Sequence, residues 1–212
     1  SILSKTNIHV SVVKGYLLPK TVDENTLVVT TSVSGNTAET LTVLESAQKL
    51  DCQIIAFCSG GKMERFCIDN EINFRIIHLI HSPRASFVTY VYSILNVLHN
   101  ILPIGENDIL SSIDSLFVMH KQISSNNLTD SNLAINLANW ITGIPLIYYP
   151  HGLQSAAIRL KSALQENSKI HAIAEDVIEA CHNGIVAWET SSIVQPILLR
   201  GTDDYIKTKE RF

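Results

Sequence analysis

No CxxC pair, no block of like charge and no low-complexity tract occurs in the sequence. Its four cysteines, Cys52, Cys58, Cys67 and Cys181, stand singly, and no secretory-type segment precedes them. That pattern reads as reduced, structural thiols in a cytoplasmic protein, with neither a disulfide framework nor a zinc site. Sixteen basic residues against twenty acidic ones leave a formal net charge of -4. Without a basic stripe there is nothing to track a phosphate backbone or an anionic bilayer, so nucleic acid and membrane surfaces are not expected partners. One stretch, residues 86–104 ("SFVTYVYSILNVLHNILPI"), lacks Asp, Glu, Lys and Arg altogether and approaches the roughly 20 residues of a spanning helix. Asn96, His99 and Asn100 lie inside it and would be costly in lipid, so a buried core or interface helix is expected.

What is present is the composition of an ordinary globular chain: 212 residues, 46% hydrophobic and 17% charged. At about 150 residues per domain, that length allows one large domain or two small ones. The first residue is Ser1 rather than Met, and the second half of "NIHVSVVKGYLLP" at 7–19 looks like a strand and a turn. A preceding N-terminal piece is therefore expected. "TLVVTTS" (strand), "NTAETLTVLESAQKL" (helix), "CQIIAFCS" (strand), "GKMERFCID" (short helix) and "FRIIHLI" (strand) follow. The polar stretches "GENDILSSIDS" and "SSNNLTDSN" interrupt that alternation. After them "NLAINLANWITG" (helix), "IPLIYYP" (strand), "LQSAAIRLKSALQENSK" (helix) and "GIVAWE" (strand) repeat it less completely. The expectation is an α/β protein of two units with parallel sheets flanked by helices, divided between Pro103 and Asp130 and assigned as residues 1–112 and 113–212.

The most informative stretch is "SVSGNT", residues 32–37, with three hydroxyls around one glycine between a strand and a helix. First-turn amides of a helix have no intrahelical partner, and glycine lets the backbone approach a ligand closely. The stretch therefore suits an anion. Hydrogen bonds to a charged group are worth about 1.5 to 3 kcal/mol each, against about 0.3 to 1 kcal/mol for the helix dipole at an exposed terminus. Ser32, Ser34 and Thr37 would thus dominate the grip. The loop has neither a Walker A lysine nor dinucleotide glycine spacing, which favours a single phosphomonoester over a nucleotide. The local alternative is a capped turn that binds nothing.

"SVSGNTAETL" resembles the SxSGNTxET signature of SIS (sugar isomerase) domains. "SGGKM" at 59–63, "SPRAS" at 82–86, "RLKSALQENSK" at 159–169 and "EACHNGIVAWE" at 179–189 stand in the order and style of the bifunctional phosphoglucose/phosphomannose isomerases. The resemblance implies two SIS domains, the second less complete. It also implies a cytoplasmic enzyme interconverting glucose 6-phosphate, and often mannose 6-phosphate, with fructose 6-phosphate without metal or other cofactor. The family's N-terminal GGS loop and C-terminal catalytic lysine segment are not visible, and Lys207 and Lys209 lie in a polar tail that does not match the latter.

The same resemblance assigns roles. Glu166 in "QENSK" matches the base that moves a proton between C1 and C2, and carboxylates shielded from water suit that task. His182 in "CHN" matches the ring-opening histidine, which in relatives reaches the neighbouring subunit's site and so implies a homodimer. Arg84 in "SPRAS" matches the cation that stabilises the enediolate, while Ser32, Ser34 and Thr37 hold the phosphate. Each has a structural alternative: a Glu166–Lys169 helix-face ion pair, Arg84 as a helix start, and His182 before a left-handed Gly184 at a helix end. The alternative functions are a catalytically silent SIS module that binds or senses a sugar phosphate, and an isomerase of another sugar phosphate. His78 and His81 have no third partner at metal-ligand spacing and are read as structural, as are Trp140 and Trp188 as core aromatics, and "NLT" at 127–129 as a chance match.

Overall fold

The computed structural model describes residues 6–202 and 204–211, so Ser1 and Phe212, the ends at which flanking pieces are expected, lie outside the described residues. The chain divides into two units, one ending at Ile104 and the other beginning at Gly105. The sequence-based boundary at 112/113 falls inside a helix of the second unit.

The first unit is built on a parallel sheet of β1 (Leu27–Ser32), β2 (Gln53–Cys58) and β3 (Asn73–Ile76), in that order. Helix α1 (Ala38–Gln48) joins β1 to β2, and α2 (Gly61–Asp69) joins β2 to β3. A 3-10 turn, Pro83–Ser86, runs directly into α3 (Phe87–Val97). "QIIAFC" is apolar after its exposed Gln53 because β2 is covered on both faces. Ala56 and Cys58 meet Leu44 of α1 and Met63 and Cys67 of α2 on one side. Phe57 meets Ile77 and Tyr90 of α3 on the other. Each large side chain fully buried this way, such as Leu44 or Phe57, contributes about 1.5 to 3 kcal/mol.

One expectation differs here. Residues 7–19, whose second half is expected to hold a strand and a turn, form no strand, and β1 pairs with β2 alone among the described residues. The apolar stretch 86–104 yields a helix of only 11 residues with Tyr90 as its one buried residue besides the flanking Ser86. Among the described residues no helix is long and apolar enough to cross a membrane.

In the second unit, α4 (Glu106–Ile123) and α5 (Leu133–Trp140) precede a parallel sheet ordered β5-β4-β6. The polar stretch at 105–115 is thus the start of a helix. Asp108 accepts from the Gly105 amide at 3.2 Å, which ties off the first turn of α4. Strand β4 (Ile144–Tyr149) lies between β5 (Ile173–Asp176) and β6 (Val194–Leu198). Helix α6 (Gln154–Ala163) covers one face of β4 through Ile147, Tyr149 and Ala157. The one-turn α7 (Val177–Ala180) covers the other through Leu146 and Tyr148. A last helix, α8, spans Ile206–Arg211.

"GIVAWE" is not a strand: Gly184–Glu189 is a 3-10 turn after α7, and the places beside β4 are taken by β5 and β6. Trp140 and Trp188 are also not core residues, at 47% and 38% exposure. The Trp188 indole instead donates to the Tyr148 hydroxyl at 3.1 Å.

Candidate functional site

Residues 33–37 connect the carboxyl end of β1 to α1. The chain turns sharply there because the Gly35 amide donates to the Ser32 carbonyl at 3.1 Å, with Gly35 at φ 65°. That left-handed conformation favours glycine. The Ser32 and Thr37 hydroxyls are 2.8 Å apart and share a hydrogen bond across the loop. Ser34 is exposed, and its hydroxyl accepts from the Asn36 amide at 3.2 Å.

Thr37 occupies the N-cap position of α1, yet its side chain makes no cap hydrogen bond. The cap of the capped-turn alternative is therefore not made, while its turn is, through the Gly35–Ser32 and Asn36–Ser34 bonds. The Thr37 hydroxyl is turned to Ser32, and the start of α1 has no side-chain cap among the described residues. Glu39 sits in this first turn and hydrogen-bonds the Tyr16 phenol, whose pKa its charge pushes up.

The loop after β2 is clasped to this one, which the sequence does not reveal. The Met63 amide donates to the Gly35 carbonyl at 2.9 Å, and the Ser59 amide to the Val33 carbonyl at 3.0 Å. Asn36 bridges the two loops, its Oδ1 accepting from the Lys62 amide at 3.1 Å and its Nδ2 donating to the Ser34 carbonyl at 3.0 Å. A Cβ at Gly35 would overlap the Gly60 carbonyl oxygen. The first-turn amides of α2 are therefore used on the "SVSGNT" loop, while the start of α1 faces outward. "SGGKM" signalled a special backbone, with Gly60 at φ 130° and Gly61 at φ 80°, but not what it touches.

Arg84 stands exposed on the 3-10 turn Pro83–Ser86, in the same unit as the loop. Ser86 behind it is fully buried and donates to the Ser82 carbonyl at 3.0 Å.

Glu166 and His182 belong to the second unit, and both are exposed. Glu166 lies where α6 widens into a π turn over Leu164–Ser168, a distortion common at functional sites. Lys169 closes the turn in a left-handed conformation, φ 60°, and its ammonium donates to the Glu166 carbonyl oxygen at 2.6 Å. The regular helix-face spacing assumed for an ion pair is therefore absent. His182 follows α7, its amide donating to the Glu179 carbonyl at 2.9 Å. Gly184 is not left-handed, so the helix-end alternative for His182 does not describe this turn. Along the chain, Glu166 stands before β5 and His182 beyond its far end. Among the described residues no group of three or more His, Cys, Asp or Glu is placed to hold a metal ion.

Residues 130–212 match the family model of the bacterial phospho-glucose isomerase C-terminal SIS domain. A bifunctional phosphoglucose/phosphomannose isomerase of Caldicellulosiruptor bescii is 30% identical over 216 residues, covering 96% of this chain and 62% of that protein. Residues 130–212 thus match an SIS-domain family, and the chain as a whole is similar to bifunctional phosphoglucose/phosphomannose isomerases. A second relative, the D-glucosamine-6-phosphate 4-epimerase of Sulfolobus acidocaldarius, is 33% identical over 77% of this chain and 51% of its own length. The chain thus spans between half and two thirds of these curated relatives. The C-terminal domain of glucosamine-fructose-6-phosphate aminotransferase from Francisella tularensis shares the fold, with a TM-score of 0.64 at 18% identity over 92% of this chain and 56% of that one. Tagatose-6-phosphate ketose/aldose isomerase from Escherichia coli gives 0.58 at 14% identity over 90% and 52%.

Proposed function

We propose that the chain acts in a phosphosugar isomerase that interconverts glucose 6-phosphate, and mannose 6-phosphate as a second aldose, with fructose 6-phosphate. The observation that carries this reading is the "SVSGNT" loop, where Ser32 and Thr37 join hydroxyls and the start of α1 has no side-chain cap. A phosphomonoester would take the first-turn amides together with the Ser32, Ser34 and Thr37 hydroxyls. The site works without metal or other cofactor.

In this mechanism His182 delivers a proton to the ring oxygen as the anomeric hydroxyl loses one, which opens the sugar. Glu166 takes the proton from C2 of the open aldose, leaving an enediolate whose negative charge Arg84 stabilises. The O2 hydroxyl proton passes to O1 as Glu166 returns its proton to C1, and ring closure by His182 gives the furanose of the ketose. The bound phosphate stays away from the reacting carbons and fixes their position. The likeness of His182 to the family's ring-opening histidine, which in relatives reaches the neighbouring subunit's site, favours a homodimer where one protomer's histidine serves its partner's site.

The test is coupled measurement of fructose 6-phosphate formation from both aldoses, with Glu166→Gln as the control. Loss of a general base lowers kcat by about 10²- to 10⁴-fold, with KM little changed because the phosphate contacts remain. Full activity in Glu166→Gln would remove Glu166 as the base, and saturable binding without turnover in the unsubstituted chain would leave a sugar-phosphate sensor. The identity to a glucosamine-6-phosphate epimerase supports one further substrate, so glucosamine 6-phosphate belongs in the panel.

A further inference from the structure

Helix α3 begins where the Arg84 turn ends, and beside the packing of Ile94 and Val97 it is tied to the phosphate loop's platform by a side-chain hydrogen bond from Tyr90. Tyr90 is buried, with its ring against Phe57 and Ile77. Its hydroxyl lies 3.1 Å from the Ser59 hydroxyl, which donates its single proton to the Ile77 carbonyl at 2.6 Å. Ser59 has no second proton to give, so the Tyr90 phenol is the donor in this bond. Both ends of the chain of contacts are thereby fixed. On one side, Ser59 donates its amide to Val33 and precedes Gly60, whose carbonyl lies against Gly35. On the other, Tyr90 is one helical turn from buried Ser86, the last residue of the Pro83–Ser86 turn.

We infer that Tyr90, through its hydrogen bond to Ser59, is the positioning residue that holds the Arg84 turn in register with the phosphate loop, so that the cation meets charge developing on the sugar. Tyr90 touches no substrate in this arrangement. It acts through the direction of α3, and a helix pivoting about its first turn moves an attached guanidinium by more than the tolerance of about 0.5 Å that a stabilising contact allows. The inference rests on the role of Arg84 given above, and the phosphate grip is independent of it.

The expected signature is a split between steps. In Tyr90→Phe, which keeps the ring and removes only the hydroxyl, kcat falls about tenfold while KM and the affinity for inorganic phosphate stay within about twofold. Ser59→Ala, which also removes the bond to the Ile77 carbonyl, gives at least the same loss, and adding Tyr90→Phe to it lowers kcat no further, because the Tyr90–Ser59 bond is already gone. Unchanged kcat in a folded Tyr90→Phe would overturn the inference, as would additive losses in the double variant or a fall in phosphate affinity equal to the fall in kcat.

A phosphorylated sugar hydroxamate, whose planar charge mimics the enediolate, separates this from the isomerase reading. If the unsubstituted chain binds the hydroxamate without turning over substrate, the isomerase reading fails. Tyr90→Phe is then still expected to weaken hydroxamate binding about tenfold and inorganic phosphate binding not at all, and equal weakening of both would refute the positioning role.

Discussion

Gly35 cannot carry even one methyl group, since its φ of 65° is left-handed and a Cβ would run into the Gly60 carbonyl. The obstacle is backbone, so relief requires moving one loop off the other. Gly35→Ala is expected to cost about 2 to 4 kcal/mol and to weaken inorganic phosphate binding at least tenfold, measured by denaturant titration and by isothermal titration. A neutral Gly35→Ala would mean the clasp is loose. Cys67 sets a different limit. Burial, with a smaller contribution from Cys58, pushes its thiol from 9.0 up to about 11. The thiol group is raised in the folded state, so the stability it contributes is complete below pH 9 and is lost as pH rises towards 11. Chemical denaturation at pH 8 and pH 10.5 is expected to show this fall, and Cys67→Ala to flatten it.

At the level of elements, α5 depends on a single cap. Asn132 is buried, and its Oδ1 accepts from the Ala134 amide at 2.9 Å and the Ile135 amide at 3.2 Å while its Nδ2 donates to the Asn127 carbonyl at 2.7 Å. Asn132→Ala removes all of these and is expected to cost about 1 to 2 kcal/mol, read as a lower midpoint in urea with unchanged slope. The contrast with α1 is instructive, because Thr37 has the right residue type for a cap and does not make one. Periodicity and composition made β1, α1, β2, α2, β4, α5 and α6 legible in the sequence. β6 was hidden by Pro196, which belongs in a strand only at an edge, and β6 is an edge strand. β5 was hidden by Glu175 and Asp176 at its end, the latter already capping α7 with a 2.8 Å hydrogen bond to the Ile178 amide. The hydroxyl loop could be read from residue types, whereas the clasp could not, since it joins backbone atoms of residues far apart in sequence.

For the whole molecule, the motifs are divided between two units: the hydroxyl loop and Arg84 in one, Glu166 and His182 in the other. The proposed shared site adds a second division, between subunits, and this can be measured without a structure of the dimer. Glu166→Gln and His182→Ala, each inactive alone, are unfolded together and refolded at equal concentration. Random pairing makes half of the dimers mixed, and one site in each mixed dimer carries neither substitution. About a quarter of full activity should return. No recovery from a mixture that sediments as dimers would place Glu166 and His182 in the same protomer's site.

The clasp between the two glycine loops also bears on how such a site changes over time. Each loop is the other's mould, with the Gly35 carbonyl holding the Met63 amide and the Gly60 carbonyl filling the space above Gly35. A cradle held this way is already shaped before its ligand arrives, so phosphate should enter in one kinetic phase whose rate is linear in concentration. It also has no single residue by which to widen. Accommodating a bulkier anion would take paired changes in both loops, which makes this end of the site the slow-changing part and leaves novelty in substrate choice to the residues around the sugar.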